Sequence, residues 1–443
     1  MNFLPNFTTL KQHSVIRKYF SNTSWLLGER ILRMGVSLFV GIYVARYLGP
    51  EKYGLLSYTM SFVWLFSAFL DLGHREIIVR ELVLYPEQRN VILGSAILLR
   101  LSGSVLLGSG VAVGLQLVDN DHQTSLMIGI IALGMAFQSW ELIDYYFQSQ
   151  VQSKYTVWAQ TVQLIVASLI KIALIIWQAP LIWFAAVFSL EYVITAALFL
   201  LLYNWQVGSF PIRNCNLIYA RQMLKNSFPL LLTGMAILIY MRIDQVMLKE
   251  LVGAETVGTY AAAVKLCEVW YHIPVLIAVS LYPAIIGVKD TNPALYHTQL
   301  QKLYTLLVWV AFALAIPITF LADWIIYIFY GNEYIESVII LKIYVWAGIF
   351  VSMSLANNKW MVIENFQNYI LLTTILGMSS NIICNVILIP LYGASGAAIA
   401  TLISYGIGSY LSLFFFPKVR KGFWFATKSI NPYSVFTFSY HPK

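Results

Sequence analysis

The stretch SWLLGERILRMGVSLFVGIYVARY, from Ser24 to Tyr47, is apolar and long enough to cross a hydrocarbon core of about 30 Å as one helix. Runs of the same kind recur along the rest of the chain, about twelve in all. Because backbone groups in lipid must be satisfied within their own segment, each run predicts a transmembrane helix. The sequence therefore predicts an all-α integral membrane protein with about twelve transmembrane helices.

The composition agrees with this fold class. Hydrophobic residues make up 59% of the chain and charged residues 11%, whereas soluble domains carry about 25% charged residues. The cysteines Cys215, Cys267 and Cys384 are too far apart for a zinc motif or a disulfide framework. The chain also lacks the GxSxG, HExxH and Walker motifs. We therefore expect a membrane transporter that is not an enzyme and needs no cofactor and no metal.

The basic residues are distributed unevenly between alternate connections. Only Lys52 and Lys249 lie in one set, whereas the other set and both terminal arms carry most of the remaining lysines and arginines. By the positive-inside rule, both termini are expected in the cytoplasm. The lysines and arginines behind the net charge of +8 are then a signal for the orientation of the chain in the membrane, and they do not indicate a nucleic-acid partner. The alternative role of these loops, binding anionic membrane lipids, fits the same topology.

A short motif, GxExxG, follows the first predicted helix of each half of the chain. The corresponding residues are Gly49 and Gly253, Glu51 and Glu255, and Gly54 and Gly258. Glycine suits a tight turn there because positive φ angles cost it little. We therefore expect two six-helix lobes that are related by a pseudo-twofold axis along the membrane normal. The predicted parts are an N-terminal lobe at 1–203, a cytoplasmic linker at 204–225, a C-terminal lobe at 226–416 and a cytoplasmic tail at 417–443.

Ionisable residues inside the predicted helices are the candidate functional residues. A charge at the centre of a membrane helix costs about 2.5 to 3.5 kcal/mol, so it is expected to face a cavity or a partner. The candidates for binding an anionic substrate are Arg30, Arg33, Arg100, Lys171, Arg242 and Lys265. The candidates for ion coupling are Glu141, Asp244 and Glu268. The deep cations are not all matched by local acids in the sequence, which suggests an anionic ligand, and the planar guanidinium of arginine suits phosphate.

Each charge also has a structural interpretation. Glu29 can pair with Arg33 across one helical turn, and Lys265 can pair with Glu268 in the same way. Glu141 can brace a neighbouring helix. On this interpretation the charges hold helices together without contacting a substrate.

Several motifs resemble those of the polysaccharide biosynthesis, or Wzx-type, oligosaccharide flippases. They are VARYLGPEKYGLLSY (Val44–Tyr58), DLG (Asp71–Gly73), IIVREL (Ile77–Leu82), YGNEY (Tyr330–Tyr334) and IPLYGASGAAIATLIS (Ile389–Ser404). The resemblance implies membership of the multidrug, oligosaccharidyl-lipid and polysaccharide exporter superfamily. It further implies two six-helix lobes with a central cationic cavity, and a bacterial plasma membrane location.

The resemblance implies a polyprenyl-pyrophosphate-linked oligosaccharide as cargo, moved to the outer leaflet by alternating access. Arg30, Arg33 and Arg100 are then the expected contacts of the pyrophosphate. A polysaccharide polymerase and glycosyltransferases are the expected protein partners. Two alternatives remain open: a multidrug or cation antiporter of the same fold, and a noncatalytic membrane scaffold for a glycan-assembly complex.

Overall fold

The computed structural model describes residues 7–431 and gives side chains from Ser24 onward, except that of Leu27. Every regular element within residues 7–431 is helical, so the all-α prediction is confirmed. Ten stretches in this range are long and apolar enough to cross a membrane. The chain is thus a multi-pass membrane protein. Residues 432–443 of the predicted tail lie outside the described range.

The first of two compact units consists of residues 1–44 and 66–232. It contains the beginning of α1, all of the next seven helices and the beginning of α9. These helices are α1 (Phe7–Leu65), α2 (Ala68–Asp71), α3 (Arg75–Leu84), α4 (Arg89–Leu117), α5 (His122–Ala136), α6 (Leu142–Ser149), α7 (Ser153–Ile176), α8 (Leu181–Gln206) and α9 (Leu217–Leu251). Short 3₁₀ turns at Pro86–Gln88 and Phe137–Glu141 connect some of them.

The second unit consists of residues 45–65 and 233–443. It contains the ends of α1 and α9 and the remaining helices. These are α10 (Ala254–Trp270), α11 (His272–Gly287), α12 (Pro293–Phe329), α13 (Ser337–Tyr344), α14 (Ala347–Ile363), α15 (Gln367–Gly406), α16 (Ser412–Phe415) and α17 (Arg420–Ser429). The lobe boundaries expected from the sequence repeat, at residues 203 and 226, stay a prediction.

Two long helices are interrupted by a glycine. Gly49 in α1 has φ 72° and ψ 170°, and Gly393 in α15 has φ 55° and ψ −133°. These angles are accessible to glycine and strained for other residues. Each of the two long helices therefore consists of two helices in series. The count of about twelve transmembrane helices stays a prediction.

The repeated GxExxG motifs pack against each other inside the second unit. A Cβ atom on Gly54 would collide with the carbonyl oxygen of Ala254, and one on Gly258 would collide with the carbonyl oxygen of Pro50. The two motifs therefore make a reciprocal backbone contact that only glycine permits. Gly49 and Gly253, which precede them, have φ angles of 72° and 136°. Positive φ angles therefore occur at the first glycine of each motif, whereas Gly54 and Gly258 lie within α1 and α10.

A buried core in the second unit gathers side chains from α11, α12, α14 and α17. Tyr304 of α12 is fully buried and donates its hydroxyl hydrogen bond to Asn357 Oδ1 of α14 at 2.7 Å. Trp360 of α14 contacts Phe425 of α17, with ring centroids 6.1 Å apart. The last described helix is thus part of the folded unit.

Candidate functional site

Arg100 of α4 is the most deeply buried candidate cation, with only 1% of its side chain exposed. Its Nη2 lies 2.9 Å from Asp71 Oδ1 and donates a hydrogen bond to the hydroxyl of Tyr145 at 2.5 Å. Its Nη1 donates to the carbonyl oxygen of Gln138 at 2.6 Å and lies 3.9 Å from Glu141 Oε2. The charge of Arg100 is therefore matched inside the first unit.

The neighbouring acid, Asp144 of α6, is also satisfied by its surroundings. Thr156 donates its hydroxyl to Asp144 Oδ1 at 2.6 Å, and Gln148 donates its amide to Oδ2 at 2.7 Å. Arg75 lies 3.8 Å from the same carboxylate. Together with the Arg100 contacts, these side chains form a polar network that we call the Arg100 network. It braces α4, α6 and α7 and the segment around Asp71.

Arg33 and Arg30 lie on α1, and Glu29, the partner of Arg33, lines a groove between α1 and α7. Arg33 Nε is 2.5 Å from Glu29 Oε1, and its Nη2 donates to the carbonyl oxygen of Gln160 at 3.2 Å. About a third of the Arg33 side chain, 36%, is exposed. Arg30 is exposed and has no acidic partner within the described residues. The groove has a volume of about 390 Å³ and is lined by Ser24, Trp25, Gly28, Glu29, Leu32, Val157 and Thr161.

Lys171 and Arg242 are paired as well. Lys171 Nζ lies 2.5 Å from Glu191 Oε1, which joins α7 to α8. In the second unit, Arg242 Nη1 lies 3.5 Å from Glu268 Oε1, and its guanidinium lies 4.3 Å from the centroid of the Trp64 ring. Lys265, one turn before Glu268, is half-buried.

Four of the candidate cations, Arg33, Arg100, Lys171 and Arg242, therefore have an acidic partner. The expectation that the deep cations are not all matched by acids therefore holds only through Arg30 within the described residues, and several of the acidic partners were not foreseen. The reason is that Asp71 and Glu191 come from other segments, which sequence spacing along one helix does not reveal. Lys265 and Glu268 lie on α10, which ends at Trp270, whereas the nearby His272 begins α11.

Asp244 of α9 differs from the other acids because its hydrogen-bonding partners are neutral. It is 3% exposed. Tyr260 and Thr401 donate hydroxyl hydrogen bonds to Oδ2 at 2.7 and 2.8 Å, and Asn385 donates its amide to Oδ1 at 2.6 Å. The side-chain oxygen of Asn385 is buried without a hydrogen-bond partner in the described structure. We call these four residues the Asp244 cluster.

The sequence prediction identified Asp244 and did not identify the other members of the cluster. Asn381 and Asn385 were recognisable as two amides at i and i+4 in an apolar helix, a spacing that places them on one face. They are hydrogen-bonded to each other at 3.0 Å. Tyr260 and Thr401 carried no such signal. Within the described residues, no three His, Cys, Asp or Glu side chains are grouped to hold a metal ion. A cation held by the Asp244 cluster would therefore have one carboxylate and neutral oxygen atoms as its ligands.

Comparison with known proteins gives matches in sequence and in structure. Residues 20–289 match a family described as polysaccharide biosynthesis protein. "Probable flippase AglR" of Haloferax volcanii is 28% identical over 195 residues, which are 40% of this chain and 38% of that protein. The match thus spans well under half the length of this curated relative.

Two solved structures are similar over nearly their whole length. A structure described as the lipid II flippase MurJ in an inward closed conformation has a TM-score of 0.71 and 17% identity, covering 93% of this chain and 91% of that chain. An inward-facing multidrug resistance MATE family transporter of the MOP superfamily has a TM-score of 0.65 and 14% identity, covering 90% and 94%. At these identities the similarities establish a shared fold.

Proposed function

We propose that this chain, which belongs to the polysaccharide biosynthesis protein family, moves a polyprenyl-pyrophosphate-linked oligosaccharide from the cytoplasmic to the outer leaflet of a bacterial plasma membrane. The family match carries the proposal. The names of the relatives support it, since one is called a probable flippase and another a lipid II flippase. Glycosyltransferases would supply the substrate and a polysaccharide polymerase would consume it.

Arg30 and Arg33 are the best candidates for the pyrophosphate contact. Both are exposed to some extent and lie one turn apart on α1, and Glu29, the partner of Arg33, lines a groove in the first unit. Arginine binds phosphate oxygens through two parallel hydrogen bonds. Arg100 is a weaker candidate, because substrate binding would require breaking its contacts with Asp71 and Tyr145. Lys171, Arg242 and Lys265 remain secondary candidates. To bind the substrate, Lys171 would have to leave Glu191, and Arg242 would have to leave Glu268.

Asp244 is the best candidate for ion coupling. Glu141 lies near Arg100 and Glu268 near Arg242, so those acids are balanced by fixed cations. A buried carboxylate with only neutral partners is costly in membrane protein. A bound proton or monovalent cation would remove that cost. The unpartnered oxygen of Asn385 is an additional ligand for such an ion.

The experiment is a flipping assay in proteoliposomes that contain a polyprenyl-pyrophosphate-linked oligosaccharide. An impermeant glycan-oxidising reagent reports how much substrate has crossed. We expect R30A/R33A to reduce the rate at least tenfold, because two charge-assisted contacts are lost. The matched control is R213Q/R221Q, which removes two exposed arginines distant in sequence from α1. A wild-type rate for R30A/R33A would overturn the headgroup assignment.

A second variant tests the coupling and the transport activity together. D244N removes the charge while keeping a similar shape. We expect it to abolish the dependence of flipping on an imposed ion gradient.

If neither wild type nor any variant moves the substrate, the proposed function is wrong. A scaffold role would then be supported by glycan export in cells that survives both R30A/R33A and D244N.

A further inference from the structure

Helix α17 has two chemically distinct faces. Gly422, Phe425, Ala426 and Ser429 are buried. Arg420, Lys421, Trp424 and Lys428 are exposed. At about 3.6 residues per turn, each set lies on its own side of the helix. The helix therefore presents three cations and one tryptophan on a single surface.

The buried face fixes the helix to the second unit. A Cβ atom on Gly422 would lie 2.9 Å from the ring of Trp360, so the backbone approaches that ring closely. Gln301 donates its side-chain amide to the carbonyl oxygen of Phe425 at 3.1 Å. The hydroxyls of Tyr410 and Thr427 are hydrogen-bonded at 3.0 Å. The orientation of the exposed face is therefore set by the fold.

The exposed face lies next to the end of the last membrane-spanning stretch, which closes at Phe415. Phe415 is 73% exposed and Trp424 is 51% exposed. Arg420 Nε donates to the carbonyl oxygen of Phe414 at 2.9 Å, and the guanidinium lies 5.2 Å from the centroid of the Phe414 ring. Cations and exposed aromatic rings thus meet at one end of a span.

The charge of this surface has one sign. The sequence from Pro417 to Lys443 contains no aspartate and no glutamate. Lys418 is exposed beside the helix and adds another cation. Tryptophan at the end of a span prefers the level of the lipid headgroups, and juxtamembrane lysines and arginines are attracted to anionic lipids.

We propose that the exposed face of α17, together with Lys418, binds the phosphate groups of anionic glycerophospholipids in the leaflet where the last span ends. Lys418 and Lys421 contact the phosphates. Trp424 and Phe415 contact the glycerol region and the upper acyl chains. The surface belongs to the second unit and shares no residue with the Arg30 and Arg33 site, which belongs to the first unit. The inference is therefore independent of the proposed transport substrate.

The test uses the purified full-length protein, with phosphatidylglycerol or phosphatidylcholine titrated into the detergent solution. Native mass spectrometry counts the lipids that stay bound. We expect K418Q/K421Q to weaken phosphatidylglycerol binding about 25-fold, since each surface cation contributes about fivefold. Binding of phosphatidylcholine should be unchanged. Raised salt should weaken phosphatidylglycerol binding to the wild type, because exposed charges are screened.

The matched control is R213Q/R221Q, which makes the same change in net charge at exposed positions far from α17 in sequence. It should keep phosphatidylglycerol binding within about threefold of wild type. Both double variants change exposed side chains, and equal unfolding temperatures in phosphatidylcholine would verify that they fold. Wild-type binding of phosphatidylglycerol by K418Q/K421Q would overturn the proposal. An equal loss in R213Q/R221Q would overturn it as well, since the effect would then follow net charge.

Discussion

Arg100 keeps its charge in the interior of the first unit because oxygen acceptors surround its guanidinium. We expect R100M to lower the free energy of unfolding by about 2 kcal/mol, below the 3–5 kcal/mol of a fully buried pair. The loss is smaller because Asp71 is 50% exposed and water can solvate it. Thermal unfolding in detergent measures the change.

R80M is the control, because it breaks the exposed pair of Arg80 with Glu81. Its free energy of unfolding should stay within about 0.5 kcal/mol of wild type. An R100M protein as stable as wild type would contradict the stabilising role of the Arg100 network.

Asp121 caps the N-terminus of α5 outside the membrane-spanning stretches. The hydroxyl of Thr124 donates a hydrogen bond to its carboxylate, which lowers the pKa of Asp121 below its usual value. A carboxyl whose pKa is lower in the folded state stabilises the protein above its unfolded pKa and loses that effect as the pH falls.

We expect D121A to cost about 1 kcal/mol at neutral pH, the usual value for a lost cap. The difference from wild type should shrink below about pH 4, where the unfolded carboxyl begins to bind a proton. D121N should retain most of the stability without that pH dependence, because asparagine also caps helices. Unfolding temperatures measured between pH 3 and pH 7 test this; a D121A deficit that is constant with pH would refute it.

The sequence located the charged residues but only those partners that lie on the same helix. Arg33 and Glu29 were predictable as a pair because they lie one helical turn apart. Lys171 and Glu191 were not, because they lie on two helices and meet only after these pack. Asp244 was identified as a buried acid, whereas Tyr260 and Thr401 became visible as partners only in the fold.

At the scale of the helices, the close contact between the two GxExxG motifs depends on glycine. We expect G54A and G258A each to lower the free energy of unfolding by about 1–3 kcal/mol, because the added methyl group collides with a backbone carbonyl. A backbone carbonyl cannot move aside as a flexible side chain can. Thermal unfolding in detergent again provides the measurement.

G234A is the matched control for this prediction. A Cβ atom on Gly234 of α9 would have open space around it, and alanine favours a helix over glycine. G234A should therefore be as stable as wild type or slightly more stable. If G54A and G258A unfold at the wild-type temperature, the helices are separated enough at this point to admit a methyl group, contrary to the structure.

For the whole molecule, periodicity and composition were sufficient to predict the all-α membrane fold, because a run of apolar residues has few alternatives in lipid. They were not sufficient to count the helices. Apolar runs such as those around Gly49 and Gly393 continue as one helical stretch through a single residue. Each interruption consists of the non-helical φ and ψ angles of that one glycine, and hydropathy does not report backbone angles.

The orientation of the whole chain can be tested with its own cysteines. Cys215 is exposed in the connection between α8 and α9, whereas Cys267 is buried in α10. The distribution of lysine and arginine predicts that the 207–216 connection is cytoplasmic. An impermeant maleimide should therefore label the protein in inside-out vesicles and leave it unlabelled in intact cells.

C215S should lose this labelling, and C267S should keep it, because a buried thiol does not reach the reagent. Each variant replaces one thiol by a hydroxyl, so the comparison shows which of the two thiols is labelled. Labelling of Cys215 in intact cells would place the connection outside and reverse the predicted orientation. The proposed direction of transport would then need to be reversed as well, since Arg30 and Arg33 lie in the half of α1 assigned to the inner leaflet by the same charge distribution.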